Sequence, residues 1–161
     1  MKPLALLAAA ALLAATPALA QNAGQIASAR RGASCPGCNL FQADLSRTEL
    51  RGKSFAGARL RQADLSAAVM NRTSFARADL RDVEAYGAVF TGANFSGANL
   101  SGASFVGTYL QGANFAGAVL ESTNFSGAEM DRAVGLTQRQ LSRACGDSAT
   151  RLPRGLSIPP C

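Results

Sequence analysis

The chain has 161 residues, with 16 Lys and Arg against 10 Asp and Glu, 16 Gly, 4 Cys and neither His nor Trp. That length allows one small domain, and the missing His excludes Ser-His-Asp and Cys-His catalysis and every histidine-ligated metal site. The net charge is +6.

In chain order, Lys2 precedes an apolar run from Leu4 to Ala15, and Ala18-Leu19-Ala20 has the small-x-small pattern of a secretory cleavage site. Residues 1–20 therefore read as a cleaved signal peptide, and the mature chain is expected to start near Gln21. No Cys follows the cleavage site, which argues against a lipid anchor, and no later apolar segment approaches the roughly 20 residues that span a bilayer. The expectation is an exported protein, periplasmic or secreted, that does not span the membrane. Residues 21–37 form an N-terminal arm and cap. Gln21 to Ser34 are small and polar, carry Arg30-Arg31, and are expected to be mobile up to Cys35.

From Cys38 to Arg132 the chain reads as nineteen consecutive five-residue units with no insertion, among them Ala43-Asp44-Leu45, Ala63-Asp64-Leu65, Ala93-Asn94-Phe95 and Ala113-Asn114-Phe115. The third residue of each unit is Leu, Phe or Met except at Ala85, and the first is Ala, Thr, Val or Cys except at Lys53. A helix would smear a period of five around its circumference, and a strand would alternate faces every two residues. The chain must therefore turn a corner in each unit. A period of twenty lies above the five: Leu40, Leu60, Leu80, Leu100 and Leu120 form one column, and Phe55, Phe75, Phe95 and Phe115 another. Like residues recurring every fourth unit mean a four-sided coil, a square solenoid with one unit per side.

This A-(D/N)-(L/F)-x-x frame closely resembles the pentapeptide-repeat proteins. The resemblance implies an all-β solenoid, a right-handed quadrilateral β-helix of about five coils, with the third and first residues of each unit pointing inward. It also extends to the segment from Leu136 to Cys161, similar to the tail of some exported bacterial members. Coils stacked at the roughly 4.8 Å spacing of paired strands would make a rod roughly 23 Å long. Gly at the fifth position, as at Gly92 and Gly97, suits the corners. Ala85 should leave a void that Val83, Phe90 and Phe95 fill, and the Lys53 stem is expected to snorkel out of the first coil.

The repeat spans residues 38–135, and residues 136–161 follow as a capping helix and a disulfide-tethered tail. Thr137-x-x-Gln140 is a capping box, with Leu136 and Leu141 at the spacing of a hydrophobic staple. The spacing predicts a short helix from Gln138 to Cys145, stopped by Gly146. In an oxidising compartment the four cysteines read as disulfides, and of the three pairings Cys35–Cys38 with Cys145–Cys161 is favoured, one fastening each end. Pairing across the ends, free thiols, and a redox-active Cys35-x-x-Cys38 are the alternatives. No metal site or cofactor is expected.

Outward residues carry any binding function. Residues 39–84 hold eight Arg or Lys and six Asp or Glu, and residues 85–120 hold none. Arg59, Arg61 and Arg81 should project from the side built on the Leu column, as a salt-bridged face or as a site for an anionic envelope ligand. Tyr86, Val89, Val106 and Tyr109, with Val69, should line one corner as an apolar stripe. The function that fits is a non-enzymatic structural or protein-interaction scaffold of the cell envelope, with a protein or other envelope partner. Self-association is expected at that stripe or at the open edge of the first coil. Some pentapeptide-repeat proteins mimic duplex DNA to modulate type II topoisomerases. The basic charge and the export signal oppose that reading here, and no nucleic-acid partner is expected.

Overall fold

The computed structural model describes residues 21–161, and the segment read as a signal peptide lies outside the described residues. The second residue of each unit pairs in parallel with the residue twenty positions on, which builds four walls. The first wall runs Asn39, Arg59, Asp79, Asn99, Val119, and the second Asp44, Asp64, Glu84, Ser104, Asn124. The third runs Glu49, Val69, Val89, Tyr109, Glu129, and the fourth Ser54, Ser74, Asn94, Asn114, Val134. Along the walls third residues donate their N–H forward, as Leu40 does to the Arg59 carbonyl at 2.8 Å, and beyond the first coil second residues donate back, as Arg59 does to the Cys38 carbonyl at 2.8 Å. At the corners the first-position N–H closes on the carbonyl three residues earlier, 3.0 Å from Ala58 to Phe55, with the fifth residue between at positive φ. That pattern suits type II-like turns, whose third residue is left-handed. The fold is a right-handed quadrilateral β-helix.

The repeated inward residues fill the axis. Phe55, Phe75, Phe95 and Phe115 stack with centroids 5.7, 5.3 and 5.3 Å apart, and Phe90 and Phe105 meet Phe95 edge-on from the side. Ala85 is buried in the same core, together with Val83, Phe90 and Phe95. Every such Leu or Phe contributes about 1.5–3 kcal/mol by burial. Buried Thr73 and Thr123 take the place of Ala without loss, because their hydroxyls donate to the carbonyls of Leu50 and Leu100 at 2.6 and 2.9 Å. Lys53 is partly exposed, as a snorkelling stem requires.

The N-terminal arm departs from expectation: it is a helix, α1 (Ala23–Arg30), N-capped by the Asn22 side chain. It stands in for a missing coil. Gln25 Oε1 accepts the Asn39 N–H at 2.7 Å on the first wall, and Arg30 donates to the Asp44 carbonyl at 2.8 Å on the second. On the fourth wall Cys35 N–H reaches the Ser54 carbonyl at 2.7 Å, and Ser34 Oγ accepts the Ser54 N–H at 3.0 Å. The edge expected to be open for self-association is thus covered on all but the third wall. The arm has no amphipathic period to betray it: only Ala29 is buried and only Ile26 packs beside it. Side chains bonding to backbone leave no periodic trace in sequence.

At the far end the capping box forms as expected, but the helix, α2 (Gln138–Leu141), is a single turn. Leu141 is buried, and Gln140 Nε2 donates to the Phe115 and Ala118 carbonyls at 2.9 Å each. The expected extension to Cys145 fails because the chain rejoins the solenoid there, Phe125 N–H donating to the Cys145 carbonyl at 2.8 Å. Arg151 does the same on the third wall, accepting from Met130 N–H at 2.9 Å. Gly146 is therefore no helix stop. A Cβ at this glycine would lie 2.7 Å from Thr150 Oγ1, and its N–H and carbonyl pair with Pro159 and Cys161 at 2.9 Å.

Candidate functional site

The cysteines are joined as Cys35–Cys38 and Cys145–Cys161, with Cα atoms 5.4 and 4.8 Å apart. Cys35 is buried and its N–H belongs to the fourth-wall ladder. A thiol-exchange site needs an accessible sulfur, which the buried Cys35 does not offer. Among the described residues no group of three or more His, Cys, Asp or Glu is placed to hold a metal ion.

Arg59, Arg61 and Arg81 come together with Phe41 and Asp79 around one shallow depression. Two of the three are neutralised. Arg81 grips Asp79 in a two-point pair, Nε to Oδ1 at 2.8 Å and Nη2 to Oδ2 at 2.7 Å, and Arg61 Nε donates to Asp82 Oδ2 at 3.2 Å. The Arg81 hydrogen bonds hold the Asp79 carboxyl below its usual pKa, against the opposing effect of burial. Among the described residues Arg59 has no carboxylate within 4.0 Å.

The apolar stripe is assembled as the spacing implies. Val69, Val89 and Tyr109 succeed one another along the third wall, and Tyr86 and Val106 occupy the corner that leads into it. Tyr86 is 66% and Tyr109 44% exposed, while Val69, Val89 and Val106 are half-buried between them. Such a set offers two rigid amphipathic rings on a wall that cannot deform without breaking its ladder.

The walls also segregate charge in a way that composition does not reveal. Asp44, Asp64 and Glu84 stack on the second wall. The opposite, fourth wall carries Ser and Asn, and its two corners carry Arg51, Arg72 and Arg77. In the sequence this shows as acids recurring every twentieth residue and as Arg72 and Arg77 at fifth positions where later units have Gly.

The family model for pentapeptide repeats matches residues 38–75, 58–97 and 98–134. No curated protein matches the sequence. A crystal structure of a pentapeptide repeat protein from Nostoc PCC 7120 is 21% identical, covers 85% of this chain and 88% of its own, and superposes with a TM-score of 0.55. One from the Arabidopsis thaliana thylakoid lumen is 28% identical, covering 62% of this chain and 69% of its own at a TM-score of 0.45. Among the described residues no helix is long and apolar enough to cross a membrane.

Proposed function

Because the chain belongs to the pentapeptide-repeat family, we propose that it serves as a non-enzymatic docking scaffold in an exported compartment, the third wall seating a protein partner of the cell envelope. Pentapeptide-repeat proteins are generally structural or interaction proteins, and the described residues offer a rigid rod with addressable walls rather than a cleft. The observation that carries the reading is the exposure of Tyr86 and Tyr109 on adjoining parts of one wall. Exposed Tyr is enriched where proteins dock, because it buries a large area at low entropy cost. The secretory pattern before Gln21 and the paired cysteines support export.

A photo-crosslinker placed at Tyr86 or Tyr109 tests this in cells. The expected result is one defined adduct from either position and none from Asn99 on the opposite wall. Equal labelling from all three positions would overturn it. N-terminal sequencing of the envelope fraction should read from near Gln21.

A further inference from the structure

Beyond the docking wall, and independently of it, the corner between the third and fourth walls has the features of a ligand site. Over its first three coils the fourth positions are Arg51, Asn71 and Thr91 and the fifth positions Gly52, Arg72 and Gly92, before the column runs on to Gln111 and, at the far end, Asp131. Arg51, Gly52, Asn71, Arg72 and Thr91 line one surface depression that climbs across three coils. With coils roughly 4.8 Å apart, that is a vertical run of roughly 10 Å.

These guanidiniums differ from the Arg61 and Arg81 set in lacking a close carboxylate partner. Arg72 and Arg77 have no carboxylate within 4.0 Å among the described residues, and Arg51 meets only Glu49, at 3.8 Å, with both side chains more than 60% exposed, an ion pair too long and too wet to hold the cation. No acid occupies the fourth wall, whose ladder is Ser54, Ser74, Asn94, Asn114 and Val134. The stems are also laid down rather than free. Arg72 Cγ lies 3.4 Å from where a Cβ on Gly92 would sit, and Arg77 Cγ lies at the same distance above Gly97. Each arginine therefore runs along the corner over the bare glycine of the next coil.

We propose that the Arg51–Asn71–Arg72–Thr91 corner binds a phosphate group. A carboxylate has two oxygens, and one guanidinium fork satisfies them. Two guanidiniums, the Asn71 amide and the Thr91 hydroxyl offer more donors than that, enough for an anion with three or four acceptor oxygens. Arg77, at the other corner of the same wall, extends the positive surface toward a second phosphate on a larger ligand. The group can come from a soluble phosphate ester or from an anionic lipid headgroup.

The mature chain is titrated with pyrophosphate by calorimetry at low ionic strength, and in parallel sedimented with phosphatidylglycerol–phosphatidylcholine vesicles and with phosphatidylcholine vesicles alone. The variants are Arg72→Gly, which installs the residue the same corner carries at Gly92 and so keeps the fold, Arg51→Gln, and Arg59→Gln as a control outside the corner. Arg72→Gly with Arg51→Gln should weaken binding at least tenfold, and Arg59→Gln by less than twofold. Saturable pyrophosphate binding that the double variant abolishes identifies a soluble ester. Retention on the anionic vesicles alone, lost in the double variant, identifies a lipid headgroup. Binding in neither arm, or binding that the double variant leaves intact, overturns the proposal. Loss of phosphate binding leaves the Tyr86 adduct unchanged, so the two readings fail separately.

Discussion

The coils from 39 to 84 and those from 85 to 120 are the same object inside and different objects outside. Both halves bury their third residues completely, and both hold the fifth residue in the left-handed region: φ is 57° at Arg72 and 56° at Arg77, against 69° at Gly92 and 65° at Gly97. The second half meets this demand with Gly throughout, and the first with Gly only at Gly52 and Gly57 and otherwise with Gln42, Arg47, Gln62, Ala67, Arg72, Arg77 and Asp82. A non-glycine residue there costs of order 1–3 kcal/mol and persists only where its surroundings over-determine it. The ladder bonds on either side of each corner supply that constraint. What the first half gains is a side chain at most of its fifth positions, Arg47, Arg72, Arg77 and Asp82 among them, in addition to the charges on its walls. The comparison teaches that the inward frame fixes the coil, whereas the corners are where the sequence is free to add chemistry at a conformational cost.

The strongest way to break the comparison is through the shared core. Phe95 packs against Phe75, Phe90, Phe105 and Phe115 at 5.3 to 5.8 Å, so Phe95→Ala is expected to cost about 3–5 kcal/mol in urea denaturation. Asn94→Ala, next to it, loses one hydrogen bond to the Ser96 N–H at 3.0 Å and is expected to cost about 1 kcal/mol or less. Comparable losses at the two sites would mean that inside and outside are not separable.

Exchanging the corners sharpens the contrast. Gly97→Ala places a Cβ at φ 65° with only the flexible Arg77 stem nearby, and is expected to destabilise by about 1 kcal/mol. Ala67→Gly, at φ 55° on an exposed corner of the first half, is expected to raise the denaturation midpoint by a smaller amount, because relief of strain outweighs the entropy that Gly adds to the unfolded chain. Should Ala67→Gly lower the midpoint, the corners of the first half are not strained.

The smallest effect is one of pH, confined to the charged half. Hydrogen bonds from Ser46, followed by those from Arg30, hold the Asp44 carboxyl down to about 2. A group whose folded pKa lies below its unfolded value stabilises above the unfolded pKa, and loses that contribution as pH falls toward the folded one. Between about pH 4 and 2 the Arg30 tie should therefore weaken. Hydrogen exchange in α1 should rise over that window, while exchange at the walls of residues 85–120, which hold no titratable carboxylate, stays level. Uniform acid sensitivity along the rod would remove the link to Asp44.

The period of five, the period of twenty and the capping box are local or strictly repeating, and sequence alone determined them. A residue such as Leu80 or Phe75 has one inward direction in every coil, so its role can be counted off without knowing its neighbours. The two cysteine pairs were also within reach, because each lies at one end of the count. Three features depended on the tertiary structure. α1 is held by Gln25, Arg30 and Ser34 bonding to carbonyls and amides far along the chain, which no pattern within the arm encodes. The tail after Cys145 becomes part of an extra coil because Gly146 leaves room for Thr150 and Ile158, a matter of fit. The sorting of arginines into Arg61 and Arg81, each held by a close carboxylate, Arg51 in a long, exposed pair with Glu49, and Arg72 and Arg77, with no carboxylate within 4.0 Å among the described residues, was equally out of reach. Charge is a property of residues, but its neutralisation is a property of distances, and those are set only when four walls close around one axis.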